Sequence, residues 1–138
     1  MTDDFALDSR LAADSVPVGD LALSSVHLMD DARFPGLILV PRRVGASELT
    51  DLDAVDATAL MEEIRIAVRV MLALAKPDKV NVGALGNVVP QLHIHVVGRF
   101  LSDPAWPGPV WGYGARTPYP PHARAQMIER IGALFAAA

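Results

Sequence analysis

The stretch QLHIHVVGRF, residues 91–100, alternates polar and apolar side chains. In an extended strand, every second side chain points to the same face of the sheet. This spacing predicts a strand with Gln91, His93 and His95 on one face. The apolar residues between them would point into a core: Leu92, Ile94 and Val96. Imidazole acts as nucleophile, proton carrier or metal ligand near neutral pH. The pattern therefore indicates a functional patch. Two histidines without a functional role, with their hydrogen bonds satisfied on a half-exposed strand, would also produce it.

Length and composition set the class of protein. The 138 residues suffice for one domain with a sizeable core, and the formal net charge is only −4. Arg and Lys are scattered, so no nucleic-acid partner is expected. The absence of cysteine excludes disulfides and thiolate sites. The most apolar stretch is too short to span a bilayer, and the acidic N-terminus lacks a signal-peptide pattern. We expect one soluble cytoplasmic domain, residues 1–138, with no membrane partner.

Hydrophobic periodicity predicts the other elements of the fold. The chain would begin with a short helix within residues 5–15, capped by Asp8, and a turn at 16–20. Strands are predicted at 21–29, 37–40 and 79–83, a long helix at 51–75, and a short helix at 122–135. In the long helix, Met61, Met71 and Leu72 lie on the apolar stripe, and Glu63 lies off it. The predicted fold class is α+β, a mainly antiparallel sheet of about five strands with one long helix and short terminal helices.

A stretch rich in proline and tryptophan follows the histidine strand. Residues 102–121 contain six prolines and both tryptophans, Trp106 and Trp111. Ordered loops of this length usually serve a function, often as a lid or a partner surface. A rigid strap with both tryptophans packed against the sheet would explain the composition equally well.

Three chemistries fit a strand with two alternate histidines. A metal site would need further ligands, and no carboxylate follows on the strand; His27 and His122 could complete a site only through tertiary contacts. Serine hydrolase chemistry is weakly supported, because no Gly-x-Ser-x-Gly nucleophile elbow is present. The third chemistry is attack by a histidine side chain.

The residues that support the third chemistry resemble a known family. Residues 91–97, QLHIHVV, resemble the histidine triad (HIT) motif, His-φ-His-φ-His-φ-φ, where φ is apolar, with Gln91 in place of the first histidine. Upstream, residues 81–83 (NVG) and the loop through Gly86 resemble the segment that precedes the triad in nucleotide-binding members. The strand at 37–40, closed by Pro41, also fits. The resemblance is strongest over residues 20–100 and leaves the Pro/Trp-rich tail and C-terminal helix, 101–138, unexplained. It implies a HIT-like fold and a homodimer.

The resemblance implies a role for each site residue. His93 would attack the α-phosphorus of a nucleotide and form a covalent phosphoramidate, which water then hydrolyses. This requires that one ring nitrogen be unprotonated while the other N–H is held by an acceptor. His95 would stabilise charge on the phosphate, and Gln91 would form hydrogen bonds without carrying a proton. Candidates for contacts to phosphate or leaving group are Asn81, Gly86 and Asn87.

The expected function is therefore hydrolysis or nucleotidyl transfer on a dinucleoside polyphosphate or a nucleoside phosphoramidate, with no cofactor or metal. Two alternatives remain open at this point. The protein could be a nucleotide-binding module with little turnover, or a metal-dependent enzyme built on His93 and His95. At the position where many family members carry a ribose-binding carboxylate, this chain has Leu28, and Asp30 and Asp31 are near but out of register.

Overall fold

The computed structural model describes residues 4–138. Within that range, five strands form one sheet in the order β1-β2-β3-β5-β4, and every neighbouring pair is antiparallel. The strands are β1 (Ser15–Asp20), β2 (Ser24–Met29), β3 (Gly36–Pro41), β4 (Lys79–Gly83) and β5 (Ile94–Arg99). The helices are α1 (Ser9–Asp14), α2 (Ala54–Ala75) and α3 (Pro121–Ala137), with a 3-10 turn at Leu49–Asp51. The α+β class and the antiparallel five-stranded sheet are confirmed.

The main core lies between one face of the sheet and helices α2 and α3. The alternation predicted for the histidine strand holds on this side, where Leu92, Ile94 and Val96 are all buried. They pack with Met71 of α2 and Ile131 of α3, both fully buried. Because these apolar side chains anchor β5, the polar side chains between them must face the other side of the sheet.

The segment 16–20, predicted as a turn, is instead the edge strand β1. Proline lacks an N–H group and is tolerated at the edge of a sheet, where one side of the strand needs no hydrogen-bonded neighbour. Pro17 lies opposite His27, and the register shifts between Pro17 and Gly19. The proline and glycine that suggested a turn therefore mark an edge strand with an irregular register.

Helix α2 buries a slightly different face from the predicted one. Met61 and Leu72 are about half exposed, at 58% and 48%, whereas Glu63 is buried at 5%. The Glu63 carboxylate accepts hydrogen bonds from the backbone N–H groups of Leu23 (2.8 Å) and Ser24 (3.0 Å). These bonds satisfy the turn between β1 and β2 and explain why a charged residue replaces an apolar one in this core.

The N-terminal segment covers part of the second face of the sheet. Residues Phe5, Leu7 and Leu11 pack over Ile38 and Val40 of β3. The short initial helix is confirmed with Asp8 as its cap, since the Asp8 carboxylate accepts from Arg10 N at 2.8 Å. The final helix, at 17 residues, is longer than predicted. No helix among residues 4–138 has the length and apolarity needed to cross a membrane.

Candidate active site

The histidine strand begins later than its sequence pattern predicted. β5 starts at Ile94, because Pro90 has no N–H group and the Leu92 N–H donates to Ala46 O at 3.0 Å. The two imidazoles nevertheless lie together on one side, with ring centroids 5.0 Å apart and ring planes at 71°. The amide group of Gln91 forms its hydrogen bonds with the N-terminal segment.

The imidazole of His93 is oriented by the backbone of its own turn. Its Nδ1 lies 2.7 Å from the carbonyl oxygen of Gln91, and the residue is 6% exposed. A carbonyl oxygen only accepts hydrogen bonds, so Nδ1 carries the hydrogen in this contact, and in the neutral imidazole the unshared electron pair is on Nε2. The arrangement meets the geometric requirement for an attacking imidazole.

His95 is partly buried and lies between His93 and Trp111. Its ring makes an edge-on contact with the Trp111 ring, with centroids 5.7 Å apart. Burial, with a smaller contribution from the neighbouring His93 imidazole, lowers the pKa of His95 to about 4. At neutral pH this side chain is therefore an uncharged imidazole that offers one N–H donor.

Both imidazoles line a cavity of about 590 Å³ on the second face of the sheet. This volume is in the range of small-molecule sites. The wall also contains Arg10, Arg33 and Arg116. Each guanidinium binds a carboxylate: Arg10 with Asp8 (3.1 Å), Arg33 with Asp31 (2.8 Å) and Arg116 with Asp14 (3.2 Å). The arginines are thus held in place by ion pairs and do not form a bare cationic patch.

The Pro/Trp-rich stretch forms one wall of this cavity. Val110, Trp111 and Arg116 line it, and Trp111 packs so closely on β4 that a Cβ at Gly83 would lie 2.9 Å from the tryptophan Cη2. Trp106 also packs against the sheet, because its ring centroid lies 5.7 Å from the guanidinium carbon of Arg99, the last residue of β5. The segment is therefore both a strap packed against the sheet and a wall of the cavity. Its proline and tryptophan content was the sequence feature that indicated a role for it.

Arg99 fixes the beginning of that stretch and also fixes Asn81. The Arg99 side chain is 2% exposed and forms an ion pair with Asp103 (2.8 Å). It donates to Gly108 O (2.7 Å) and to Asn81 Oδ1 (2.8 Å). The hydrogen bonds from Arg99 lower the pKa of Asp103 to about 2. Asn81, a candidate phosphate ligand, thus has its amide oxygen committed to the protein.

The other two candidate phosphate ligands lie in the loop between β4 and β5. Gly86 has a φ of +74°, a left-handed conformation that favours glycine. It lines a small cavity of about 70 Å³ together with Gln91 and His93. Asn87 is exposed in the same loop. The structure therefore brings Gly86 close to His93, while a role for Asn81 or Asn87 in phosphate binding stays a prediction.

The side chain of Gln91 is committed to the N-terminal segment. Its Oε1 accepts from the Asp8 N–H at 2.8 Å, and its Nε2 donates to Ala6 O at 2.8 Å. The sequence pattern could not reveal this, because the partner residues lie more than 80 positions away. Gln91 thus orients His93 through its backbone carbonyl, while its amide group serves another part of the chain.

The carboxylates near the expected ribose position are also engaged. Asp30 and Asp31 are buried, at 7% and 6%. Asp30 accepts from the Tyr119 N–H (2.9 Å) and pairs with Arg124 (3.1 Å), and Asp31 accepts from Arg33. They anchor the chain before α3 against the sheet.

The side chains from residue 4 onward include no group of three His, Cys, Asp or Glu residues that could hold a metal ion.

Comparison with known proteins agrees with this architecture. A family model described as HIT domain matches residues 10–101, two thirds of the chain. The chain belongs to the HIT domain family. A HIT protein from Sinorhizobium meliloti is 42% identical, with a TM-score of 0.91 over 93% of this chain and 95% of that one. A histidine triad protein from Marinobacter aquaeolei is 41% identical, with a TM-score of 0.93 over 96% and 97% of the two chains. These HIT structures therefore extend over the Pro/Trp-rich tail as well.

A curated relative carries a functional name. A Mycobacterium tuberculosis protein named AP-4-A phosphorylase is 40% identical over 77 residues. The match covers 50% of this HIT chain and 38% of that protein, so the relative is considerably longer than the matched segment.

Proposed function

We propose that this HIT protein cleaves dinucleoside polyphosphates at an α-phosphate, with His93 as the nucleophile. The Nε2 atom of His93 attacks the α-phosphorus, a P–N bond forms, and the bond to the leaving phosphate oxygen breaks. Water or another acceptor then attacks the same phosphorus and releases the nucleotide from His93. The observation that carries this proposal is the 2.7 Å contact from His93 Nδ1 to the Gln91 carbonyl oxygen, which leaves the electron pair on Nε2.

The neighbouring side chains support charge stabilisation more than proton transfer. His95, with a pKa of about 4, is neutral at pH 7 and can donate one hydrogen bond to a phosphate oxygen. Gln91 cannot ionise, and both ends of its amide are already bonded to residues 6 and 8. A leaving group that needs a proton, such as an amine, would find no acid at this position. A polyphosphate leaves as a weakly basic anion, so it suits the site better than the amine of a phosphoramidate.

The AP-4-A phosphorylase relative supports the same substrate class. Because its match covers only part of either chain, the substrate and the acceptor are part of the proposal. Water as acceptor would make the reaction a hydrolysis, and inorganic phosphate would make it a phosphorolysis. Both reactions share the nucleotidyl-His93 intermediate.

The test is turnover and intermediate trapping on a matched panel of substrates. Diadenosine polyphosphates and adenosine phosphoramidates are incubated with and without inorganic phosphate, and the protein is quenched in base for intact-mass analysis. We expect turnover of the polyphosphates and a nucleotidyl adduct that maps to His93. Binding without adduct or turnover would make the protein a nucleotide-binding module. Activity that is lost with chelator and restored by zinc or manganese would favour a metal-dependent enzyme.

A further inference from the structure

The side chain of Gln91 pairs with the N-terminal segment in the way a neighbouring strand would. An amide presents one acceptor and one donor side by side. Here the acceptor takes the Asp8 N–H and the donor reaches Ala6 O, both at 2.8 Å. Two alternate backbone groups of the segment are therefore satisfied by one side chain. An imidazole at position 91 offers one donor and one acceptor on opposite sides of its ring and cannot repeat this pairing.

The segment held by Gln91 carries Arg10 to the cavity wall. The Arg10 guanidinium binds the Asp8 carboxylate through Nε (3.2 Å) and Nη2 (3.1 Å), and its Nη1 donates to Val88 O at 2.8 Å. Val88 belongs to the loop that leads to Gln91. The contacts therefore close a ring from Gln91 to Asp8, to Arg10, to Val88 and back along the chain.

This ring passes close to the proposed nucleophile. The backbone carbonyl of Gln91 holds His93, and both His93 and Arg10 line the larger cavity. The pKa of Asp8 lies below its usual value, mainly through its hydrogen bonds with Arg10. The Arg10 side chain is 52% exposed, and these contacts use three of the five N–H groups that a guanidinium carries. The remaining two are available to a ligand.

We propose that Gln91 is a positioning residue that latches residues 6–8 and thereby holds Arg10 as a ligand for the phosphate chain of the substrate. The latch itself stands on the described contacts, and the ligand of Arg10 rests on the proposed function. A guanidinium is a strong hydrogen-bond partner for phosphate, and holding it in place before binding reduces the ordering cost. The glutamine thus serves substrate binding through the N-terminal segment and does not act as an acid.

The latch can be tested without substrate, by exchange of the Asp8 amide hydrogen measured by NMR. Gln91→Leu removes both bonds, and we expect exchange of this amide to accelerate about tenfold, the factor that corresponds to a typical net hydrogen bond. Gln91→Glu is the matched variant, since it keeps an acceptor for the Asp8 N–H but sets a carboxylate oxygen against Ala6 O in place of the donor, so exchange should accelerate in this variant as well. Unchanged exchange in Gln91→Leu would overturn the latch.

The ligand of Arg10 is tested by a double-mutant cycle. The Kd of a non-hydrolysable diadenosine tetraphosphate analogue is measured by calorimetry for wild type, Gln91→Leu, Arg10→Gln and the double variant. Each single variant should weaken binding about tenfold, and the double variant should be little weaker than Arg10→Gln, because Gln91 acts through Arg10. In Gln91→Leu, kcat should fall by a smaller factor than Kd rises, since the backbone carbonyl at position 91 remains.

Other outcomes of the cycle would overturn all or part of the proposal. A Kd that Gln91→Leu leaves unchanged, or effects that multiply in the double variant, would overturn the proposal. A loss of unfolding free energy without a change in Kd would show a purely structural role and would overturn it as well. If wild type neither binds nor cleaves dinucleoside polyphosphates, the proposed function fails together with the ligand of Arg10, while the exchange measurement still decides the latch.

Discussion

His93 and His95 stand side by side but have different partners, and this difference separates their proposed roles. His93 is aligned by a backbone carbonyl, whereas His95 packs against the Trp111 ring. Turnover measured with a dinucleoside polyphosphate should vanish in His93→Ala, with nucleotide binding largely retained. His95→Ala should lose about 10²–10³-fold in rate, the range for deleting one charge-stabilising donor. Equal losses from the two substitutions would remove the reason to name His93 as the nucleophile.

The burial of His95 also predicts how stability responds to acid. Its pKa is about 4 in the folded protein against 6.5 for an exposed imidazole, so the unfolded chain binds a proton that the folded one does not. The free energy of unfolding should be unaffected by this group above pH 6.5, and should fall as the pH drops from 6.5 through 4. The shift corresponds to about 3 kcal/mol over that window.

The comparison variant for this prediction is His95→Gln, which cannot ionise. Urea unfolding at several pH values should show a shallower loss of stability in the variant than in wild type between pH 6.5 and 4. His27 is a second buried histidine whose pKa is lowered by burial, so some acid sensitivity should persist in the variant. Parallel curves for the two proteins would contradict the buried, neutral state of His95.

Among the elements, the Pro/Trp-rich strap depends most on one buried ion pair. Asp103 and Arg99 are both nearly inaccessible, with side chains 3% and 2% exposed. Asp103→Ala would leave the Arg99 charge buried without its carboxylate, which typically costs about 3–5 kcal/mol. Urea unfolding measures this loss, and Glu62→Ala is a suitable control, because Glu62 and its partner Arg65 are both exposed, at 52% and 63%. Similar, small effects of both substitutions would show that the strap does not depend on this pair.

Sequence periodicity predicted the elements whose neighbours are close in sequence or whose apolar faces are regular. Residues 79–83 form β4 at the predicted bounds, and α2 lies close to its predicted span. The errors arose where tertiary contacts override local preference. The sequence did not predict β1, because Pro17 suggested a turn although an edge strand tolerates proline. It did not predict the burial of Glu63, because the backbone N–H groups that bind its carboxylate are 39 and 40 residues away.

The candidate site was predictable only in its centre. The alternation of residues 91–97 indicated the two histidines, but the walls around them come from distant parts of the chain. Arg10 reaches the cavity from α1, Arg33 and Phe34 from the β2–β3 loop, and Trp111 from the strap. Their approach is set by the packing of the N-terminal segment and the strap on the second face of the sheet, which no local pattern encodes.

In the molecule as a whole, the two faces of the sheet have different roles. One face carries the core with α2 and α3, and the other carries the cavity with both imidazoles. This division explains how the HIT domain can present His95 from β5, and His93 from just before it, although the strand is otherwise buried. The homodimer and the cytoplasmic location that the sequence suggested stay predictions, and sedimentation would decide the first by a mass of one or two 14.7 kDa chains.

The central claim is a covalent nucleotidyl-His93 intermediate, and the stereochemical course of the reaction tests it most directly. A dinucleoside polyphosphate analogue with sulfur at the α-phosphorus, chiral at that atom, is hydrolysed in ¹⁸O-labelled water, and the configuration of the product is determined. Attack by His93 followed by attack by water inverts the phosphorus twice, so the account predicts overall retention. Overall inversion would mean that water attacks the phosphorus directly, and it would contradict the role assigned to His93.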